Sequence, residues 1–179
     1  MVSALGPAAR AQGEAPIVPT PCDFATSGGF VITDSGKKAN FGAHGGCKNG
    51  AFWGHLNFMD HTTGYHIDSV QITGYGTPFV GSNIRDICGL ATTNRDEPQP
   101  VYFRVQVTDN GEPGLADAFG IRLSNGYVVS MRALNNSRPG GGDVEIHQPN
   151  PSTTPPNPLP DESTMCNGVA PPFAGGSPD

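Results

Sequence analysis

Thr108-Asp109-Asn110-Gly111-Glu112-Pro113-Gly114-Leu115-Ala116-Asp117-Ala118-Phe119-Gly120-Ile121-Arg122-Leu123-Ser124-Asn125-Gly126-Tyr127 holds the end of one strand, an acidic Gly/Pro loop, a whole second strand and a tight turn. Phe119, Ile121 and Leu123 alternate with Gly120 and Arg122, the two-residue period of a half-buried strand. Asn125-Gly126 is the strongest short hairpin signal in the chain, because both central positions of a type I′ turn need positive φ. The building rule is the antiparallel hairpin.

The rule extends in both directions. Upstream, Val101, Phe103, Val105 and Val107 face inward while Tyr102, Arg104, Gln106 and Thr108 face outward. Further strands are read at Phe30–Thr33, Lys38–His44, Ala51–His61, His66–Tyr75 and Asn83–Thr92, and downstream at Tyr127–Leu134 and Val144–His147. Ala39, Phe41 and Ala43 oppose Asn40 and His44; Phe52, Leu56 and Phe58 oppose Trp53, His55, Asn57, Met59 and His61; Asp86 shares a face with Ile84 and Cys88. No segment between them has a helical period, and the connections are too short for parallel crossovers. The expectation is an all-β antiparallel meander of about nine strands, closing as a barrel or a sandwich.

Composition agrees with one turn-rich β domain: 179 residues carry 25 Gly and 18 Pro, with only 15% charged side chains. The formal charge of -6 repels phosphate backbones and anionic lipid, so neither nucleic acid nor a membrane surface is an expected partner. No apolar run is long enough to cross a bilayer, so membrane insertion is not expected. Ala9-Arg10-Ala11 matches the small-x-small pattern cut by signal peptidase, and residues 1–21 read as an export-signal remnant followed by a linker. Residues 22–148 read as the β domain, and 149–179 as a Pro-rich tail, extended and independent of the core.

The four cysteines, Cys22, Cys47, Cys88 and Cys166, show neither a C-x-x-C pair nor zinc-finger spacing, so two disulfides in an oxidising compartment are expected. Three connectivities are open. The favoured one joins Cys47 to Cys88 inside the fold and Cys22 to Cys166 as a clasp on the tails.

Three constellations offer chemistry. Asp109, Asn110, Glu112 and Asp117 supply hard oxygen ligands of the kind a surface Ca²⁺ takes, although Asp109-Asn110-Gly111 also reads simply as a turn. His61 and His66, with His55 and Asp68 nearby, meet on one face if Thr62–Tyr65 is a four-residue loop, and could then hold a transition metal. Trp53, His55 and Asn57 share a face in the pattern that holds a sugar ring or a protein partner. No G-x-S-x-G elbow, H-E-x-x-H motif or phosphate loop is present, and no catalytic residue is assigned.

The segment Cys22 to Gly29 with Phe30-Val31-Ile32, then Lys38-Ala39-Asn40-Phe41-Gly42, Gly54-His55-Leu56, Asp60-His61, Ile72-Thr73-Gly74-Tyr75, the Asp109–Gly114 loop and Leu123-Ser124-Asn125-Gly126-Tyr127 together resemble the post-COAP domain. The resemblance spans Asp23 to His147. It implies a module of secreted or surface-anchored bacterial proteins, for which no activity is settled. The expected function is extracellular binding, adhesion or scaffolding with no chemistry of its own, the partner being a glycan or a protein. The alternative is a small secreted metal-dependent hydrolase or oxidase using the His61/His66 hairpin.

Overall fold

The computed structural model of the chain describes residues 15–114, 116–134 and 141–172; the Ala9-Arg10-Ala11 stretch lies outside them. Nine strands follow one another: β1 (Phe24–Ile32), β2 (Lys38–Lys48), β3 (Ala51–Asp60), β4 (Tyr65–Gly76), β5 (Ile84–Thr93), β6 (Val101–Thr108), β7 (Ala118–Leu123), β8 (Val128–Ala133) and β9 (Gly142–His147), before a single helical turn, α1 (Glu162–Met165). They form one antiparallel sheet in the order β8-β7-β6-β5-β4-β3-β2-β1-β9. Every neighbouring pair but one is consecutive in sequence, so the architecture is the expected meander. The exception is β9, which returns to pair with β1.

The sheet curls into a half-barrel around its own apolar face. Phe41 on β2 stacks on Phe119 of β7 with ring centroids 3.8 Å apart, and Phe58 on β3 lies 6.2 Å from the same ring. Leu56, Ile67, Ile87, Phe103, Val105 and Ile121 fill the interior between them. β1 starts six residues before the apolar run that marks it in the sequence. Phe24–Gly29 has little intrinsic strand preference, but it is paired on both sides, with β2 and with β9, and that tertiary pairing decides its conformation.

A curled sheet that does not complete its ladder leaves two edges with unpaired N–H groups. Here side-chain carboxylates meet both. On the β9 edge, Asp117 Oδ2 accepts the N–H of Val144 at 2.7 Å and Asp109 Oδ2 accepts that of Ile146 at 2.9 Å. On the β8 edge, Asp34 accepts Ser130 N–H and Oγ–H and the Arg132 guanidinium. Burial alone would raise the Asp34 carboxyl, yet the bonds from Arg132 and Ser130 outweigh it and hold the group below its ordinary value.

Polar groups plug the two ends. At one, the Tyr75 hydroxyl donates to Asp23 Oδ1 at 2.6 Å, and Arg85 grips the same carboxylate through Nε and Nη2. At the other, Tyr65 donates to Asp96 and Tyr127 donates to Asp60.

The cysteines pair as Cys22–Cys47 and Cys88–Cys166, which corrects the expected Cys47–Cys88 and Cys22–Cys166 connectivity. The reason is pleat parity. Cys47 shares the inward face of β2 with Phe41 and Ala43, whereas Cys88 follows inward Ile87 and points to the outside, so the sheet stands between them.

The Pro-rich tail is likewise docked rather than free. Asn49 N–H donates to Ser152 O and Gly50 N–H to Thr154 O, after which the chain crosses the outer face of β4 to β7 as a strap. Thr73 Oγ1 donates to Met165 O at 2.7 Å, Cys166 is bonded to β5, and Arg104 Nη1 reaches Val169 O. Beneath the strap the outward pair Asp86 and Arg104, joined at 2.8 Å, is almost fully buried. Before β1, Ile17 makes two backbone bonds with Thr77 and Val18 is buried, so this part of the presumed linker is also packed. Among the described residues no helix is long and apolar enough to cross a membrane.

Because the strap is both bonded and packed, truncation after Gln148 should lower stability by at least the usual 2 to 5 kcal/mol, roughly the cost of losing one native disulfide. Urea unfolding of the truncated chain checks this, and an unchanged midpoint would mean that the strap adds nothing.

Candidate functional site

Among the described residues the strap covers half of the outer face. The other half, on β9, β1, β2, β3 and the start of β4, carries the outward residues of the alternation, and the ladder aligns them in rows. His147, Phe24, Gly46 and Trp53 form one row, and Glu145, Thr26, His44 and His55 the next. Asp143, Gly28, Gly42, Asn57 and Asp68 form the third, followed by Phe30, Asn40, Met59 and His66.

The first row is a run of rings. Phe24 stacks on His147 with centroids 4.3 Å apart and lies 5.9 Å from Trp53. They meet across β2 because Gly46 has no side chain: a Cβ there would fall 2.2 Å from that of Phe24. Lys48 Nζ sits 5.2 Å from the Trp53 ring, a cation–π distance, and the indole N–H has no hydrogen-bond partner. His44 is 5.4 Å from Trp53 and 6.1 Å from His55. Partial burial, and then the neighbouring His55, push the His44 imidazole below its ordinary value, so it is neutral at pH 7.

The third row has no wall in its middle. A Cβ added at Gly42 would meet nothing within 4 Å, and one at Gly28 only the Phe41 carbonyl oxygen at 3.8 Å. The result is a trough floored by glycine, with Thr26 and His44 on one side and Phe30 and Asn40 on the other. At one end the Asp143 carboxylate turns to the Gly114 and Asp117 loop, and Asn57 with Asp68 lie at the other. Crossing five strands, it is about 19 Å long at the usual strand spacing.

Trp53, His55 and Asn57 therefore share a face as their alternation implied. His61 and His66 do not converge. The Asp60 carboxylate accepts Thr62 N–H at 2.9 Å and its carbonyl accepts Gly64 N–H, a turn that takes up His61 and sets Asp60 opposite Tyr65. The register thus sits two residues from the one that would place His61 opposite His66. His61 goes instead to Asn40 Oδ1 at 2.7 Å, and His66, opposite Met59, to Asn57 at 2.8 Å.

In the acidic loop Asp109 and Asp117 bond to backbone. Asp109 accepts Gly111 and Ile146 N–H, Asp117 accepts Asn110 and Val144 N–H, Asn110 donates to Ala116 O, and Glu112 is exposed. Among the described residues no three His, Cys, Asp or Glu are placed to hold a metal ion.

His147 and Phe24 escape a reading of the sequence because their row depends on the β9–β1 pairing, which joins segments more than a hundred residues apart. His44 is visible in the alternation of β2, but nothing local places it beside Trp53.

Comparison with known protein families, with characterised proteins and with solved structures finds no match for this chain.

The Asp143 carboxyl at the trough's end is pushed above its ordinary value, first by burial and then by Asp117, Glu145 and Asp109. A raised folded-state value means that stability is full below the unfolded value, near pH 4, and is lost as pH rises through the folded one. Asp143→Asn should therefore raise the melting temperature at pH 7 and lose that advantage below about pH 4. Thermal scans at the two pH values check it; a destabilised variant at pH 7 would contradict it.

Proposed function

We propose that the chain is an extracellular binding module of the post-COAP kind, holding a glycan strand in the trough across β9, β1, β2, β3 and β4. The observation that carries this reading is the glycine floor at Gly28 and Gly42, lying beside a row of rings on the half of the outer face that the described part of the strap does not cover. Sugar rings combine apolar C–H faces with hydroxyls that donate and accept. Phe24, Trp53 and Phe30 suit the first, while neutral His44, Asn40 and Asn57 supply both kinds of hydrogen-bonding partner. The length of the trough matches a short run of sugars rather than one. Two disulfides are compatible with the oxidising compartment in which such a module would work. The net charge of -6 argues for a neutral or cationic ligand over a polyanion.

Trp53 is the single tryptophan, so its emission reports on this face alone. Titration with a panel of soluble neutral polysaccharides should shift that emission for at least one of them. Gly42→Val fills the floor without backbone strain and should weaken that binding about tenfold or more, equivalent to about 1.4 kcal/mol, while leaving the melting temperature unchanged. Absence of any shift across the panel, or binding unaffected by Gly42→Val, would contradict the reading.

A further inference from the structure

His55 is gripped from two sides by consecutive residues of β4. Its Nδ1 lies 3.2 Å from Ser69 Oγ and its Nε2 lies 3.3 Å from Asp68 Oδ1. Neighbours in a strand ordinarily point to opposite faces. Here the β4–β5 register shifts between Ser69 and Gln71, and such a bulge re-aims a side chain, bringing Ser69 to the imidazole that Asp68 already holds. The β3–β4 ladder ends at Asn57 and Asp68, and the next donor on β3, Leu56 N–H, goes to Ser69 Oγ at 2.8 Å. Asn57 Nδ2 donates to Asp68 Oδ1 at 3.3 Å, so the carboxylate is itself held.

The direction of the proton chain follows from donor chemistry. The Asp68 carboxylate 3.3 Å from Nε2 favours a hydrogen on that nitrogen by charge, though the pair is at ion-pair distance without hydrogen-bond alignment, so the neutral ring is assigned its proton at Nε2. In the neutral ring Nδ1 is then an acceptor, and the Ser69 hydroxyl is its donor. A hydroxyl donating to an imidazole whose far nitrogen is fixed by a carboxylate is the arrangement that activates serine in acyl transfer. His55 and Asp68 are each about half exposed, so the site opens directly to solvent.

We propose that Ser69, His55 and Asp68 are nucleophile, general base and orienting acid for hydrolysis of a small acyl ester. Ser69 Oγ attacks the acyl carbonyl carbon as His55 Nδ1 takes its proton. The ester C–O bond breaks, and the alcohol leaves with that proton. Water then attacks the acyl-serine, giving one proton to Nδ1; the carboxylic acid departs and the proton returns to Ser69 Oγ. The open surface suits a short acyl group such as acetyl over a long chain. This activity goes beyond ligand binding and does not depend on an occupant of the trough.

The test uses p-nitrophenyl acetate and a fluorophosphonate probe on the full chain, neither of which needs a seat in the trough. The expected result is a fluorophosphonate adduct mapped to Ser69, and nitrophenol release that depends on the same residue. Ser69→Ala and Asp68→Asn should each lower the rate about a hundredfold or more. Since Ser69→Ala also orphans Leu56 N–H, His55→Gln provides a second variant on the open face, and it should lose the adduct while Ser69 is still present. An adduct at another residue, an adduct retained in His55→Gln, or release unchanged in Ser69→Ala, as direct attack by a surface imidazole would give, overturns the proposal.

Discussion

Carboxylate to backbone N–H bonds at the two sheet edges are the interaction on which this fold depends. Nine strands in a meander bury one face only if the sheet curls, and curling brings β8 and β9 round without joining them through a ladder of their own. Asp109 and Asp117 take the Ile146 and Val144 N–H groups of β9, and Asp34 takes the Ser130 N–H of β8. Each is a charge-assisted bond, stronger than the neutral bond it replaces. The same carboxylates also deny a second chain the template that an open edge presents.

The division of the outer surface follows from that closure. With the edges occupied, the two terminal segments can only pack at an end or over the outside. The segment before β1 pairs with Thr77, while the one after β9 passes Asn49 and Gly50 and runs over β4 to β7. The strap turns outward side chains there into buried ones, Asp86 and Arg104 among them, and the Cys88–Cys166 bond keeps it in place. Among the described residues nothing crosses the face where β2 is floored by glycine and flanked by rings and imidazoles. The half of the sheet free to meet a ligand is thus set by where the tail lies.

Much of the fold was legible because alternation and turn chemistry are local. Nine strands, their inward residues and the shared face of Trp53, His55 and Asn57 all follow from a two-residue period. What was not legible depends on pairing between distant segments or on turn geometry. The disulfide connectivity required knowing that Cys47 and Cys88 lie on opposite faces of the sheet. His61 was misplaced because the Asp60 carboxylate organises the turn and takes His61 into it, a displacement of two residues invisible in the alternation. That Asp109 and Asp117 accept the N–H groups of a strand edge some thirty residues later was hidden for the same reason, since nothing local shows that edge. The tail's prolines exclude it from a ladder but do not exclude a strap, which needs only a few bonds and one cysteine.

Amide hydrogen exchange tests the closure most directly, since Val144 and Ile146 have side-chain carboxylates as their partners. The account predicts that both amides are protected in the native protein at the level of the β1 amides. It also predicts that Asp117→Ala frees Val144 and Asp109→Ala frees Ile146, with protection across β2 to β6 retained. Exchange of Val144 and Ile146 at the rate of loop amides in the unmodified protein would contradict it.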